Sequence, residues 1–385
     1  MDGKKLTILI LLDFSKAFDS LDHFTLFTKL KSLSFSNSSI HWFQAFLSDR
    51  TQAVSIPNQP LSSFLSLSLG VAQGSSISPL LFNCYINDLH KSVHHCSHHL
   101  CADDFQIYFS FPPSELQIAV TKIQEDLDRI RDWAILNKLE LNTKKTQAIV
   151  IGAKSLLNSI HTFPTLILND QPLSFSSSVK NLGITIDQTL SWKPHIAQLS
   201  RRTISSLKLF QSSRHLLTHS TRKLLISSII FPHFDYCCVV YGGLSKGVDD
   251  RLKRIMNSSL RFVLGIPRRS HVSPRYNELK WLFPSIRRHY FLASFLFQVI
   301  KSQHPSYIYS LLQFKSSFQH HKTRSRLSDL YTHSHITSTF ERSFLARSTK
   351  IWNSIPPLIR HSPSLSTFKL RLFQYFLDSQ INADG

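Results

Sequence analysis

Acidic side chains are scarce in this chain. Against 44 Lys and Arg stand 24 Asp and Glu in 385 residues, a formal charge of +20 and a pI near 9.9, which calls for a polyanionic partner. Cysteine is scarcer still. Cys84, Cys96, Cys101, Cys237 and Cys238 are too few and too irregularly spaced for a disulfide framework. That excludes a small secreted scaffold and fits a reduced intracellular setting, nuclear or cytoplasmic. No apolar run reaches the roughly 20 residues that a membrane-spanning helix needs, so no membrane partner is expected. Lys4 and Lys5 ahead of an apolar stretch imitate a signal peptide, but Asp13 breaks the stretch and no small-residue cleavage site follows.

What is present is globular: 42% hydrophobic and 11% aromatic residues, in a length that allows two or three domains with cores of their own. The positive charge is uneven. Residues 246–385 hold 22 Lys and Arg against 7 Asp and Glu, a net of +15, and residues 1–245 a net of +5. A basic surface of this kind attracts nucleic-acid phosphates without reading sequence. A merely solvated basic face is the plain alternative.

The chemistry gathers around Leu6–His23. Seven apolar or β-branched residues, Leu6 to Leu12, read as a buried strand that stops at Asp13. Farther on, Asp103 and Asp104 stand together between short apolar runs, as at a hairpin tip. If the two strands lie side by side, Asp13 and Asp103 converge. Neighbouring carboxylates repel unless a cation sits between them, so the pairing implies a divalent metal. Two Mg²⁺ ions roughly 3.5–4 Å apart are the usual device for nucleotidyl transfer, and Mn²⁺ could substitute.

These residues carry a resemblance. DFSKAFDSLDH (Asp13–His23), GVAQGSSISPLLFNCYINDL (Gly70–Leu89), CADD (Cys101–Asp104) and WAILNKLELNTKKT (Trp133–Thr146) resemble, in order and spacing, the palm motifs of non-LTR (LINE-type, jockey- and CR1-like) retrotransposon reverse transcriptases. The likeness implies an α+β fold. Its parts would be a palm of antiparallel sheet packed on helices over residues 1–150 with the fingers largely missing, a palm end and mainly helical thumb over 151–245, and a basic, mostly helical region over 246–385. It also implies an RNA-directed DNA polymerase acting on an RNA template, a DNA primer and deoxynucleoside triphosphates. Asp13, Asp103 and Asp104 would be the catalytic, metal-binding set. Phe14 would lend its peptide N–H to the phosphates, and Gln73 and Gly74 would contact template–primer and nucleotide. Lys145 would neutralise the leaving pyrophosphate, unless it is simply solvated. Phe18 would exclude a ribose 2′-hydroxyl, or serve as a core residue.

Three positions depart from the family pattern. Ala72 stands where Pro is usual, Ser78 where Gly is usual, and Cys101 where an aromatic ring backs the catalytic turn. Together with the missing fingers, Cys101 implies weakened activity, and the competing reading is a catalytically inactive nucleic-acid-binding remnant. A metal-dependent nuclease would explain the carboxylates but not Gln73, Gly74 and Lys145.

Elsewhere the pattern predicts a helix opening at Gly70 and reaching Leu89, and another over Pro112–Asn137 capped by Ser114, with Leu116, Val120, Ile123, Leu127, Ile130 and Ala134 inward. Thr51–Ile56 and Leu65–Leu69 read as short strands. The His94–His99 cluster is read as a polar hairpin approach, not a zinc site, for want of a second paired ligand set. From His195 to Leu225 the chain is helical and basic; Arg201, Arg202, Lys208 and Arg214 suit either a phosphate backbone or ordinary solvent. The stretch His320–His335 is polar and loop-like.

Overall fold

A computed structural model describes residues 4–160, 162–315, 329–332, 334 and 337–384. The stretch His320–His335 lies for the most part outside the described residues. The chain divides into two compact units, one of Lys4–Gly183 with Asp187–Leu190, the other of Ile184–Ile186 with the residues from Ser191 onward. No described helix is long and apolar enough to cross a membrane.

The first unit is built on a four-stranded antiparallel sheet of β1 (Leu6–Leu12), β2 (Ser97–Cys101), β3 (Asp104–Phe111) and β4 (Gln147–Ile151), in the order β2-β3-β1-β4. β1 is central, and its near-continuous apolar run suits a strand covered on both faces. Leu6, Ile8, Ile10 and Leu12 share one core with Phe105, Ile107 and Phe111 of β3. The longer helices of the same unit are α1 (His23–Ser32), α2 (Asn37–Leu47), α3 (Ser78–Ile86) and α4 (Leu116–Leu136). Asp22 caps α1, accepting from the Thr25 N–H at 2.9 Å.

The structure departs from the sequence reading at several boundaries. α3 starts at Ser78, not Gly70, because Gly70 and Gly74 take positive φ and the Ser78 hydroxyl bonds back to the Ala72 carbonyl at 2.7 Å. It ends at Ile86, short of Leu89. Ser114 lies in a 3₁₀ turn, Pro113–Glu115, and α4 begins after it without a side-chain cap. The two short strands shrink to Thr51–Gln52 and Leu65–Ser66.

Beyond the strand residues Ile184–Ile186, the second unit is mainly helical over its described residues. Its longer helices include α5 (Lys193–Ser212), α6 (Lys246–Leu264) and α7 (Pro284–Ser302). One core gathers Leu199, Tyr241, Leu252, Met256, Phe262 and Tyr276; a second gathers Leu292, Leu296, Trp352 and Phe368.

Candidate active site

Sheet register delivers the carboxylates. Leu12 pairs with Phe105, and Cys101 pairs with Asp104 across the β2–β3 turn. Asp13 therefore leaves β1 beside the turn that carries Asp103 and Asp104. Ala102 in that turn has φ of 52°, a conformation that a β-carbon disfavours by about 1–2 kcal/mol.

The electrostatics agree with this placement. Burial pushes the Asp13 carboxyl above its ordinary pKa; Lys145 pulls it down and Asp103 pushes it up, and the rise prevails. Burial likewise raises Asp104, reinforced by the charges of Asp103 and Asp13. The three carboxylates thus feel one another. Asp13 Oδ2 is enclosed and accepts no hydrogen bond. The Lys145 ammonium stands 3.8 Å from it.

The segment Glu140–Thr146 holds Asp13 from the other side. The Asn142 N–H donates to the Asp13 carbonyl at 2.8 Å, and the Asp13 N–H donates to Thr146 Oγ1 at 3.4 Å. Thr146 Oγ1 in turn donates to the Asn142 carbonyl at 2.9 Å, closing a turn that carries Lys145. Ser15 N–H bonds to the Glu140 carbonyl at 2.8 Å, and Phe14 lies opposite Leu141 in the intervening bridge. The Phe14 N–H has no partner among the described residues, while its ring is buried with an edge against Trp133.

The remaining candidates have other contacts. Gln73 is exposed and bonds to Asp19, not to any of the three carboxylates. Gly74 has φ of +87° and would meet nothing within 4 Å as alanine, so its backbone conformation, not space, calls for glycine. Phe18 is half-buried and stacks on Phe82 at 4.4 Å. Cys101 is exposed, so the absent ring leaves open surface beside the turn, not a hole in the core.

Sequence reasoning missed two supports. Asp126 is fully buried and accepts from the N–H groups of His94, His95 and Cys96 at 2.8–2.9 Å. Burial would raise its pKa, but those three bonds outweigh burial and hold it below the usual carboxylate range. Its signal was an acid on the apolar stripe between Ile123 and Ile130. Asp88 in the Ile86–Leu89 stretch pairs with Lys29 at 2.6 Å and accepts from Trp133 Nε1 at 3.2 Å, which makes it a packing ion pair. Burial lowers the Lys29 pKa, and Asp88 offsets part of that.

No group of three His, Cys, Asp or Glu side chains is preformed as a metal cage among the described residues. What fits a cation is the orphaned Asp13 oxygen beside mutually repelling carboxylates, an all-oxygen donor set that suits Mg²⁺ or Mn²⁺.

Residues 1–186 match a family profile described as reverse transcriptase (RNA-dependent DNA polymerase). The chain is 26% identical over 277 residues to the RNA-directed DNA polymerase from mobile element jockey of Drosophila melanogaster, covering 69% of this chain and 29% of that protein. The probable RNA-directed DNA polymerase from transposon BS of the same fly is 26% identical over 279 residues, covering 69% of this chain and 30% of that protein. The chain thus spans less than a third of the length of these relatives. Among solved structures, telomerase from Candida albicans in complex with a TWJ fragment of telomeric RNA aligns at 12% identity and a TM-score of 0.36, over 73% of this chain and 45% of that one. With Asp13 and the Asp103–Asp104 turn at one end of an antiparallel sheet, residues 1–186 match the reverse transcriptase family, and the chain is a relative of the RNA-directed DNA polymerases of non-LTR retrotransposons.

Proposed function

We propose that this chain is the catalytic core of an RNA-directed DNA polymerase, extending a DNA primer on an RNA template. The observation that carries the reading is the register that sets Asp13 beside the Asp103–Asp104 turn, with one Asp13 oxygen enclosed and unbonded. Asp13 and Asp103 would hold two Mg²⁺ ions, with Asp104 assisting. When bound, that pair supplies the charge that activates a primer 3′-hydroxyl and stabilises the departing pyrophosphate.

The chain's own residues do the rest. Lys145, already beside Asp13, is placed to neutralise or protonate the leaving group. The unpaired Phe14 N–H is available to a phosphate oxygen. Phe18, braced by Phe82, offers a flat wall to the sugar, and Gln73 with Gly74 faces template–primer and nucleotide. In these terms the first unit serves as palm, and the helices from Lys193 serve as thumb and basic C-terminal region. Arg201, Arg202 and Lys208 are exposed on α5 and suit phosphate contact. Arg214 is engaged elsewhere, donating to the Phe262 carbonyl at 3.2 Å.

Asp103→Asn removes one charge and little volume. It should abolish Mg²⁺-dependent extension of a primed RNA while leaving binding of that RNA within about twofold. Extension that persists in Asp103→Asn would overturn the assignment. Tight RNA binding by an unaltered chain that never extends, with Mg²⁺ or Mn²⁺, would favour the non-catalytic remnant.

A further inference from the structure

The turn Phe18–His23 and the segment Leu69–Gln73 are fastened along their backbones. The Gly70 N–H donates to the Leu21 carbonyl at 2.7 Å, the Val71 N–H to the Phe18 carbonyl at 2.9 Å, and His23 Nε2 bonds the Gly70 carbonyl at 2.7 Å. Gly70 has φ of +81°, and a β-carbon there would lie 2.6 Å from the Asp19 carbonyl oxygen. No other residue allows this approach. Its consequence is that two side chains meet: Gln73 Nε2 donates to Asp19 Oδ1 at 2.8 Å. Both line an open cavity of about 490 Å³ together with His23, Arg50 and Gln52.

We propose that Asp19 is a positioning residue that decides which face of the Gln73 carboxamide the cavity presents. An ionised carboxylate accepts hydrogen bonds and cannot donate them. The amide nitrogen must therefore turn toward Asp19, and the carbonyl oxygen Oε1 is left over. Oε1 takes no hydrogen bond among the described residues. An occupant of the cavity would thus meet an acceptor at this point, and it would need a hydroxyl or an N–H to satisfy it. Without Asp19 the carboxamide could present either face at similar cost. The class of the occupant rests on the polymerase reading: a nucleotide, through a sugar hydroxyl or a base-edge N–H.

Two measurements separate this proposal from that reading. The first needs no activity. With glutamine labelled by ¹⁵N, the Gln73 carboxamide signal is identified as the one lost in Gln73→Ala. In the unaltered chain it should be shifted and protected from exchange, and in Asp19→Ala it should move to the position of a free glutamine. The second is steady-state incorporation on primed RNA. Asp19→Ala should raise the KM for the deoxynucleoside triphosphate about fivefold, as for one lost hydrogen bond, with kcat within about twofold. Asp19→Asn should raise KM as well, because asparagine can also donate and so releases the constraint; a merely structural bond would be restored by it. Asp19→Ala combined with Gln73→Ala should be no worse than Gln73→Ala alone. An unshifted carboxamide signal in Asp19→Ala overturns the proposal. So do independent, multiplying effects of the two substitutions. If the unaltered chain incorporates nothing, the polymerase reading falls and the carboxamide signal still decides the role of Asp19.

Discussion

Asp126 is fully buried in the first unit and Asp13 half-buried, and burial has opposite outcomes at the two. Asp126 accepts three backbone N–H bonds and the Arg129 guanidinium at 2.8 Å, so its charged form is the stable one. Its folded pKa lies below the ordinary value, so its contribution is complete above about pH 4 and is lost as pH falls through the folded value. Asp126→Ala should cost about 3 kcal/mol at neutral pH, a fall of roughly 6–12 °C in melting midpoint, with the difference from the unaltered chain shrinking in acid. A midpoint within 2 °C of the unaltered chain would refute this. Asp13 and Asp104 run the other way: their raised pKa values mean that ionisation weakens the fold and acid relieves it. Asp13 was legible because a polar residue ends an apolar run. Asp126 was not, since Glu125, Asp128, Arg129 and Arg131 disguise it, and its partners are backbone groups about 30 residues earlier in the chain.

At the scale of elements, periodicity located α4 and the central strand well, because each buries a simple stripe. The loop before α3 was misread because its conformation is set by two glycines and a side-chain bond, none of which has a period. Those glycines are not equivalent. Gly70→Ala combines a disfavoured φ with a β-carbon driven against Asp19, and should cost about 3 kcal/mol. Gly74→Ala meets no neighbour and should cost about 1 kcal/mol from φ alone. Denaturant midpoints of the two variants check this, and equal losses would contradict the geometry. The serine at position 78 also does something glycine could not, since its hydroxyl holds the Ala72 carbonyl at the mouth of the helix.

Across the whole molecule, the charge excess of residues 246–385 was plain in the sequence, but part of it is spent internally. Arg288 is buried against Asp249, Arg287 pairs with Asp235 at 2.5 Å, Arg347 donates to the Val239 carbonyl at 2.7 Å, and Arg360 pairs with Asp329 at 2.9 Å. The arginines left for a polyanion include Arg251 and Arg254, exposed on α6; Arg254 lines a groove of about 710 Å³ with Lys208, and both arginines line a second of about 470 Å³. Replacing both with Glu should weaken RNA binding at every sequence tested and flatten the slope of log K against log salt by at least about 2. An unchanged slope would remove α6 from the interface. The account as a whole turns on Asp13 and the Asp103–Asp104 turn sharing metal. The most direct measurement is to count bound Mn²⁺ by electron paramagnetic resonance, with a dideoxy-terminated primer on RNA and a matching triphosphate present. The unaltered chain should bind about two more Mn²⁺ than Asp13→Ala or Asp103→Asn. Equal occupancy in all three would contradict a shared carboxylate site.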